Sequence, residues 1–159
     1  MKNNAADLFE TLLKDKNLGL SIGNDAALEY DRISFGIPQL DKITNGGIPK
    51  KRFTLIYGGW SSGKSYLCTK LSETVQKDNG TVLWVDTEQS WDSDWMTACG
   101  LDTNRILLKI PENAEDAYNA MAAGMKNGVD LVVLDSVAGL IPSEILKQKD
   151  MFSYSPMAW

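Results

Sequence analysis

Gly58-Gly-Trp-Ser-Ser-Gly63-Lys64-Ser65 follows directly on a short apolar run, Phe53-Thr-Leu-Ile-Tyr57, and precedes Leu67, Cys68, Leu71 and Val75 at helical spacing. A buried strand, a glycine-rich turn and a helix in immediate succession restrict the chain to layered α/β architectures. The eight residues fit the pattern GxxxxGK[ST] in full. Glycines at 58, 59 and 63 let the backbone turn tightly, so that N–H groups of Ser61, Ser62 and Gly63 point inward at an anion. The helix that follows turns its positive end to the same place. Lys64 adds a point charge over β- and γ-phosphate oxygens, and the Ser65 hydroxyl suits the coordination shell of Mg²⁺. Trp60 lies inside the loop and Tyr66 directly after it, so both join the candidate nucleotide-binding set.

The α/β pattern continues downstream. Thr81-Val-Leu-Trp-Val85, Ile106-Leu-Leu-Lys-Ile110 and Asp130-Leu-Val-Val-Leu134 read as strands. Between them, Trp95, Met96 and Cys99 suggest a short helix closed by Gly100. Asn113 suits the cap of a helix carrying Ala117, Tyr118, Met121, Ala122 and Met125 on one face and ending near Gly128. Strands alternating with helices predict a mostly parallel sheet covered on both faces. Upstream, Ala5, Leu8, Phe9, Leu12 and Leu13 mark an amphipathic helix over Ala5–Lys14, followed by a linker over Asn17–Asn24. The chain thus divides into a helix and linker (1–28) and an α/β core (29–159). The helix either packs on its own core or docks on another copy of the protein.

Composition narrows the chemistry. The 159 residues include no histidine, which excludes a Ser–His–Asp triad, a Cys–His pair and a His-ligated metal. The two cysteines, Cys68 and Cys99, lack metal-site spacing and suggest no disulfide framework. No apolar run approaches the roughly 18 residues of a membrane span. The N-terminus lacks a signal-peptide core. A cytoplasmic protein without membrane association is expected. Sixteen basic against 21 acidic residues make a formal charge of −5, so the chain as a whole carries no electrostatic footprint for nucleic acid. The basic run Lys50-Lys-Arg52 reads as a solvated turn.

Hydrolysis of a bound nucleotide needs a held metal and an oriented water. Asp135 ends an apolar strand, where a metal-holding acid belongs. Asp86 and Glu88 both lie at the end of the second strand, and spacing alone does not choose between them as the acid that polarises water. In Trp91-Asp92-Ser-Asp-Trp95, a ring can stack on a base and a carboxylate can accept from an adenine amino group. Residue type alone favours core anchoring for both tryptophans.

Taken together, these residues resemble the RecA-like recombinases. Ile33-Ser-Phe-Gly-Ile37, Leu40-Asp41 and Gly46-Gly-Ile-Pro49 are similar to the family's lead-in. Val85-Asp-Thr-Glu-Gln-Ser-Trp-Asp92 resembles its second-strand signature, and Leu131-Val-Val-Leu-Asp-Ser-Val-Ala-Gly-Leu140 its Walker B strand. The likeness covers about residues 29 to 145 and points to the bacterial or phage branch. It implies a P-loop NTPase core that binds and hydrolyses ATP with Mg²⁺. Glu88 falls on the water-activating glutamate, Lys64 on the catalytic lysine, and Ser65 and Asp135 on the metal-holding pair. Asp92 and Trp95 fall on the adenine contacts. It also implies filaments on single-stranded DNA for recombination and repair, with the N-terminal helix joining protomers.

Three positions depart from that pattern. Trp60 stands where an acid is usual, Gly59 where a proline is usual, and Lys51 where a glycine is usual. The family's sheet inserts a further strand between the glycine-loop strand and the Walker B strand, flanked by the DNA-binding loops. The sequence ends before it, so the expectation is a core incomplete at its C-terminus, one piece of a longer recombinase, with an apolar tail over Met151–Trp159. The alternative is a non-hydrolysing paralogue acting as an ATP-gated assembly or mediator module.

Overall fold

The computed structural model describes residues 4–23 and 30–147. They belong to two units, Met1–Asp31 and Arg32–Trp159. The predicted tail over Met151–Trp159, and the boundary expected between residues 28 and 29, lie outside the described residues.

In the first unit, α1 (Ala5–Lys14) begins where the Asn4 side chain accepts from the Ala6 N–H, and a Glu10–Lys14 pair at 3.1 Å bridges one turn. None of its residues is buried. The predicted amphipathic stripe is present, and Leu8, Phe9 and Leu12 stand about half exposed.

The second unit opens with a small antiparallel ribbon, β1 (Arg32–Ile33) against β2 (Ile48–Pro49), with α2 (Pro38–Ile43) between them. Asp41 ties this lead-in together, accepting from the Ser34 hydroxyl at 2.7 Å and the Phe35 N–H at 2.8 Å. The main sheet is parallel, as expected. Its order is β4 (Ile106–Lys109), β3 (Val82–Asp86), β5 (Leu131–Asp135). Strand β3 lies at its centre with all five residues buried. Alternate side chains of β3 enter two cores. Val82 and Trp84 join Ile33, Phe35, Leu71, Val75, Met96 and Leu101 on one face, with α3 (Lys64–Lys77) and α4 (Ser93–Ala98). Leu83 and Val85 join Ala114, Ala117 and Leu140 on the other, under α5 (Ala114–Lys126). Helices therefore cover both faces of the sheet at β3 and β5, whereas Leu107 and Leu108 of β4 stay exposed, one on each face.

Two sequence-based expectations are corrected. Phe53–Tyr57 is not a strand of the sheet: no ladder includes it among the described residues, and Phe53, Leu55 and Tyr57 are 90%, 74% and 86% exposed. Only Ile56 of the run packs against the first core. A strand exists only where a neighbour supplies the other half of its hydrogen bonds. No such neighbour flanks this run among the described residues, and β5 pairs on one edge alone. On α5, burial follows Ala114, Ala117 and Met121, whereas Tyr118 and Met125 are about half exposed. The stripe facing the sheet is narrower than apolar composition suggested.

Candidate nucleotide site

The glycine-rich loop leads into α3 through Gly63, whose φ of 88° is a left-handed conformation that glycine adopts without strain. Ser61 also has positive φ, 52°, so the chain reverses twice before the helix begins. No acid occupies the first turn of α3, and its positive end is not neutralised from within. The Lys64 ammonium folds back over the loop, donating to the Gly59 carbonyl at 2.9 Å and the Gly58 carbonyl at 3.4 Å. Trp60 projects from the loop at 99% exposure. One turn into α3, Thr69 is fully buried; its hydroxyl donates to the Ser65 carbonyl at 2.9 Å and lies 3.2 Å from the Met96 sulfur.

Parallel pairing brings the strand tips level. Asp86 and Asp135 are register partners, and the Thr87 N–H donates to the Asp135 carbonyl at 2.9 Å. The two acids that spacing left open at the end of β3 have different surroundings. Asp86 is 1% exposed, and its carboxylate accepts from the Glu88 N–H at 3.2 Å and the Trp91 N–H at 2.8 Å. It anchors the turn that follows. Glu88 is exposed, and its carboxylate accepts a hydrogen bond from the Ser136 hydroxyl. Asp135 ends β5 near α3: the Cys68 thiol is pushed up to about 12, chiefly by burial and then by the Asp135 carboxylate. Strand β5 itself packs on α3, the helix whose second residue is Ser65. Among the described residues, no cluster of three or more acidic or cysteine side chains forms an all-protein metal cage. One hydroxyl and one carboxylate fit Mg²⁺, which keeps several waters and relies on phosphate oxygens for the rest of its shell.

The tryptophans divide by environment. Trp84 is 1% exposed, and Trp91 meets it edge-on at 5.5 Å. Trp91 is thus a core anchor. Trp95 is partly exposed and sits edge-on to Tyr66, ring centroids 6.5 Å apart, which links α4 to the start of α3. Asp92 caps α4 through one oxygen, accepting from the Asp94 and Trp95 N–H groups at 3.0 Å each. Residue spacing did not reveal Thr87 and Ser136, whose hydroxyls join the two strand tips. Nothing local in the sequence marks them, because the β3–β5 register alone brings them together.

Fold and site define an α/β protein with a glycine-rich loop heading a helix and carboxylates at adjacent tips of a parallel sheet. The family described as RecA N-terminal domain matches residues 10–154. The chain is also 34% identical over 125 residues to Protein RecA of Clostridium botulinum strain Alaska E43, 77% of this chain and 35% of that protein. It is 35% identical over 133 residues to Protein RecA of Synechococcus elongatus, 80% of this chain and 37% of that protein. Against Protein RecA of Chlorobaculum parvum it is 37% identical over 144 residues, 87% of this chain and 42% of that protein. This chain belongs to the RecA family and spans about two fifths of the length of these relatives.

Proposed function

We propose that this chain is the ATP-binding and hydrolysing part of a RecA-like recombinase that acts in the cytoplasm in homologous recombination and repair. The observation that carries the reading is the arrangement at one end of the sheet. The loop Gly58–Ser65 heads α3, and that helix packs against β5, the strand that ends in Asp135. Phosphates would meet the loop N–H groups of Ser61, Ser62 and Gly63, with the helix end and the Lys64 charge adding attraction. Lys64 would exchange its two loop carbonyls for phosphate oxygens. Ser65 and Asp135 would hold Mg²⁺, which supplies charge neutralisation on the phosphates. Glu88, exposed at the tip of β3, would orient the attacking water, while Asp86 keeps its turn in place. Adenine would lie against Trp95, and its amino group would donate to the second carboxylate oxygen of Asp92.

The relatives' names support recombination as the process. We assign the single-stranded DNA contacts to the part of a longer protein that corresponds to the relatives' unmatched length. The same part would supply the strand that pairs with 53–57 and with the edge of β5 that has no ladder among the described residues. Open edges and exposed apolar residues favour such a neighbour. The half-exposed stripe of α1 is assigned to contacts between protomers of a filament.

The test is calorimetry of this chain with Mg-ATP, followed by turnover with and without single-stranded DNA in the longer protein that contains it. Lys64→Ala should abolish binding; Glu88→Gln should bind normally and fail to turn over. The isolated chain should turn ATP over poorly even where it binds; binding without turnover in the longer protein would favour the ATP-gated assembly module. Folded protein giving no heat with Mg-ATP would refute nucleotide binding.

A further inference from the structure

Between the two acids of the site lie two hydroxyl residues, and their hydrogen bonds close a ring. The Thr87 hydroxyl accepts from the Ser136 N–H at 2.9 Å and donates to the Ser136 carbonyl at 2.6 Å. One side chain at the tip of β3 thereby satisfies both backbone groups of the residue following Asp135. The Ser136 hydroxyl returns across the gap and donates to Oε1 of Glu88. Below them, Asp86 accepts from the Glu88 N–H at 3.2 Å. Glu88 is therefore held twice, its backbone by its own strand and its carboxylate by the neighbouring one.

We propose that Thr87 and Ser136 are positioning residues, a clamp between the tips of β3 and β5 that fixes the orientation of the Glu88 carboxylate relative to Asp135. The proposal rests on Glu88 as the residue that orients water. Each hydrogen bond has an unambiguous direction, because the Thr87 hydroxyl proton goes to a carbonyl and the Ser136 hydroxyl proton goes to a carboxylate. Oε1 is engaged, and Oε2 has no hydrogen bond among the described residues, which leaves it for a water. The turn Val137–Gly139 lies so close that a Cβ on Gly139 would overlap the Thr87 hydroxyl oxygen and come within 2.9 Å of the Thr87 Cβ. A side chain at 139 would therefore displace the Thr87 hydroxyl, and glycine there leaves the space the clamp occupies. A base held by a short donor in one rotamer needs no reorganisation when water binds, whereas a freely rotating glutamate samples the productive geometry only part of the time.

The test uses the whole chain and the variants S136A, S136T, T87V and E88Q. Side-chain three-bond couplings of Glu88, measured by NMR, should report one dominant rotamer in the parent and in S136T, and averaged rotamers in S136A and T87V. In T87V the Ser136 amide should also exchange with solvent at least about tenfold faster while the Val133 amide is unchanged. In turnover assays S136A should lower kcat about tenfold with KM within about twofold, and S136T should recover most of the loss. Identical Glu88 couplings in the parent and S136A overturn the clamp. So does unchanged kcat in S136A when E88Q is inactive. Turnover is read in the longer protein that contains this chain; if that protein binds Mg-ATP and does not turn it over, the assignment of Glu88 fails, and the couplings then decide the clamp independently.

Discussion

Asp86→Asn separates the two acids at the end of β3. The carboxylate is 1% exposed and accepts two backbone N–H bonds, at 2.8 Å from Trp91 and 3.2 Å from Glu88. An asparagine in the same rotamer has one acceptor oxygen. If it keeps the shorter bond, its NH₂ group faces the Glu88 N–H, two donors in contact. A hydrogen bond to a charged group contributes about 1.5–3 kcal/mol, and a buried donor left without a partner costs about 1–3 kcal/mol. Removing a buried charge offsets part of this. The expected net loss is about 2 kcal/mol, or roughly thirtyfold in the folded-to-unfolded ratio. Urea denaturation followed by tryptophan fluorescence measures it, and amide exchange at Glu88 and Trp91 should accelerate before the core opens. Glu88→Gln provides the control. That side chain is exposed and its amide oxygen still accepts from Ser136, so stability should move by less than about 0.5 kcal/mol. If Asp86→Asn leaves the unfolding midpoint unchanged, the carboxylate does not anchor the 87–91 turn and the division of labour between the two acids fails.

Trp84→Ala should be the most damaging change in the parallel sheet. The ring is 1% exposed and packs on Trp91, so truncation leaves a cavity costing about 3–5 kcal/mol, read as a lower denaturation midpoint. Asp130 gives stability a pH dependence. Its carboxyl is held below its ordinary 3.8 chiefly by the Thr81 N–H, at 2.8 Å, and then by the Thr81 hydroxyl, at 3.0 Å. A depressed folded value means that the unfolded chain takes up the proton first as the pH falls. The contribution is therefore complete above 3.8 and disappears as the pH drops below it through the lower folded value. Asp130→Asn should flatten that acid limb of the urea midpoint, and an unchanged limb would locate the dependence elsewhere.

Sequence periodicity and residue type carried the local elements. Helix α3 after its glycine turn, the Asn113 cap of α5 and the short helix ended by Gly100 depend on contacts within a few residues, and the three parallel strands showed as apolar runs between turn residues. For the same reason the loop Gly58–Ser65 stands out as a motif, since its geometry is built from adjacent backbone torsions. Other features needed the tertiary structure. Phe53–Tyr57 has a strand's composition, yet a strand is a relation between two chain segments, and only the sheet reveals whether a partner stands beside it. Asp86 and Glu88 are chemically alike in sequence and were separated by burial, which follows from where the end of β3 meets the core. Thr87 and Ser136, forty-nine positions apart, bond only because β3 and β5 pair in register. Short-range steric and hydrogen-bonding preferences write themselves into neighbouring residues; solvent exclusion and contacts between distant segments arise only after the chain has packed.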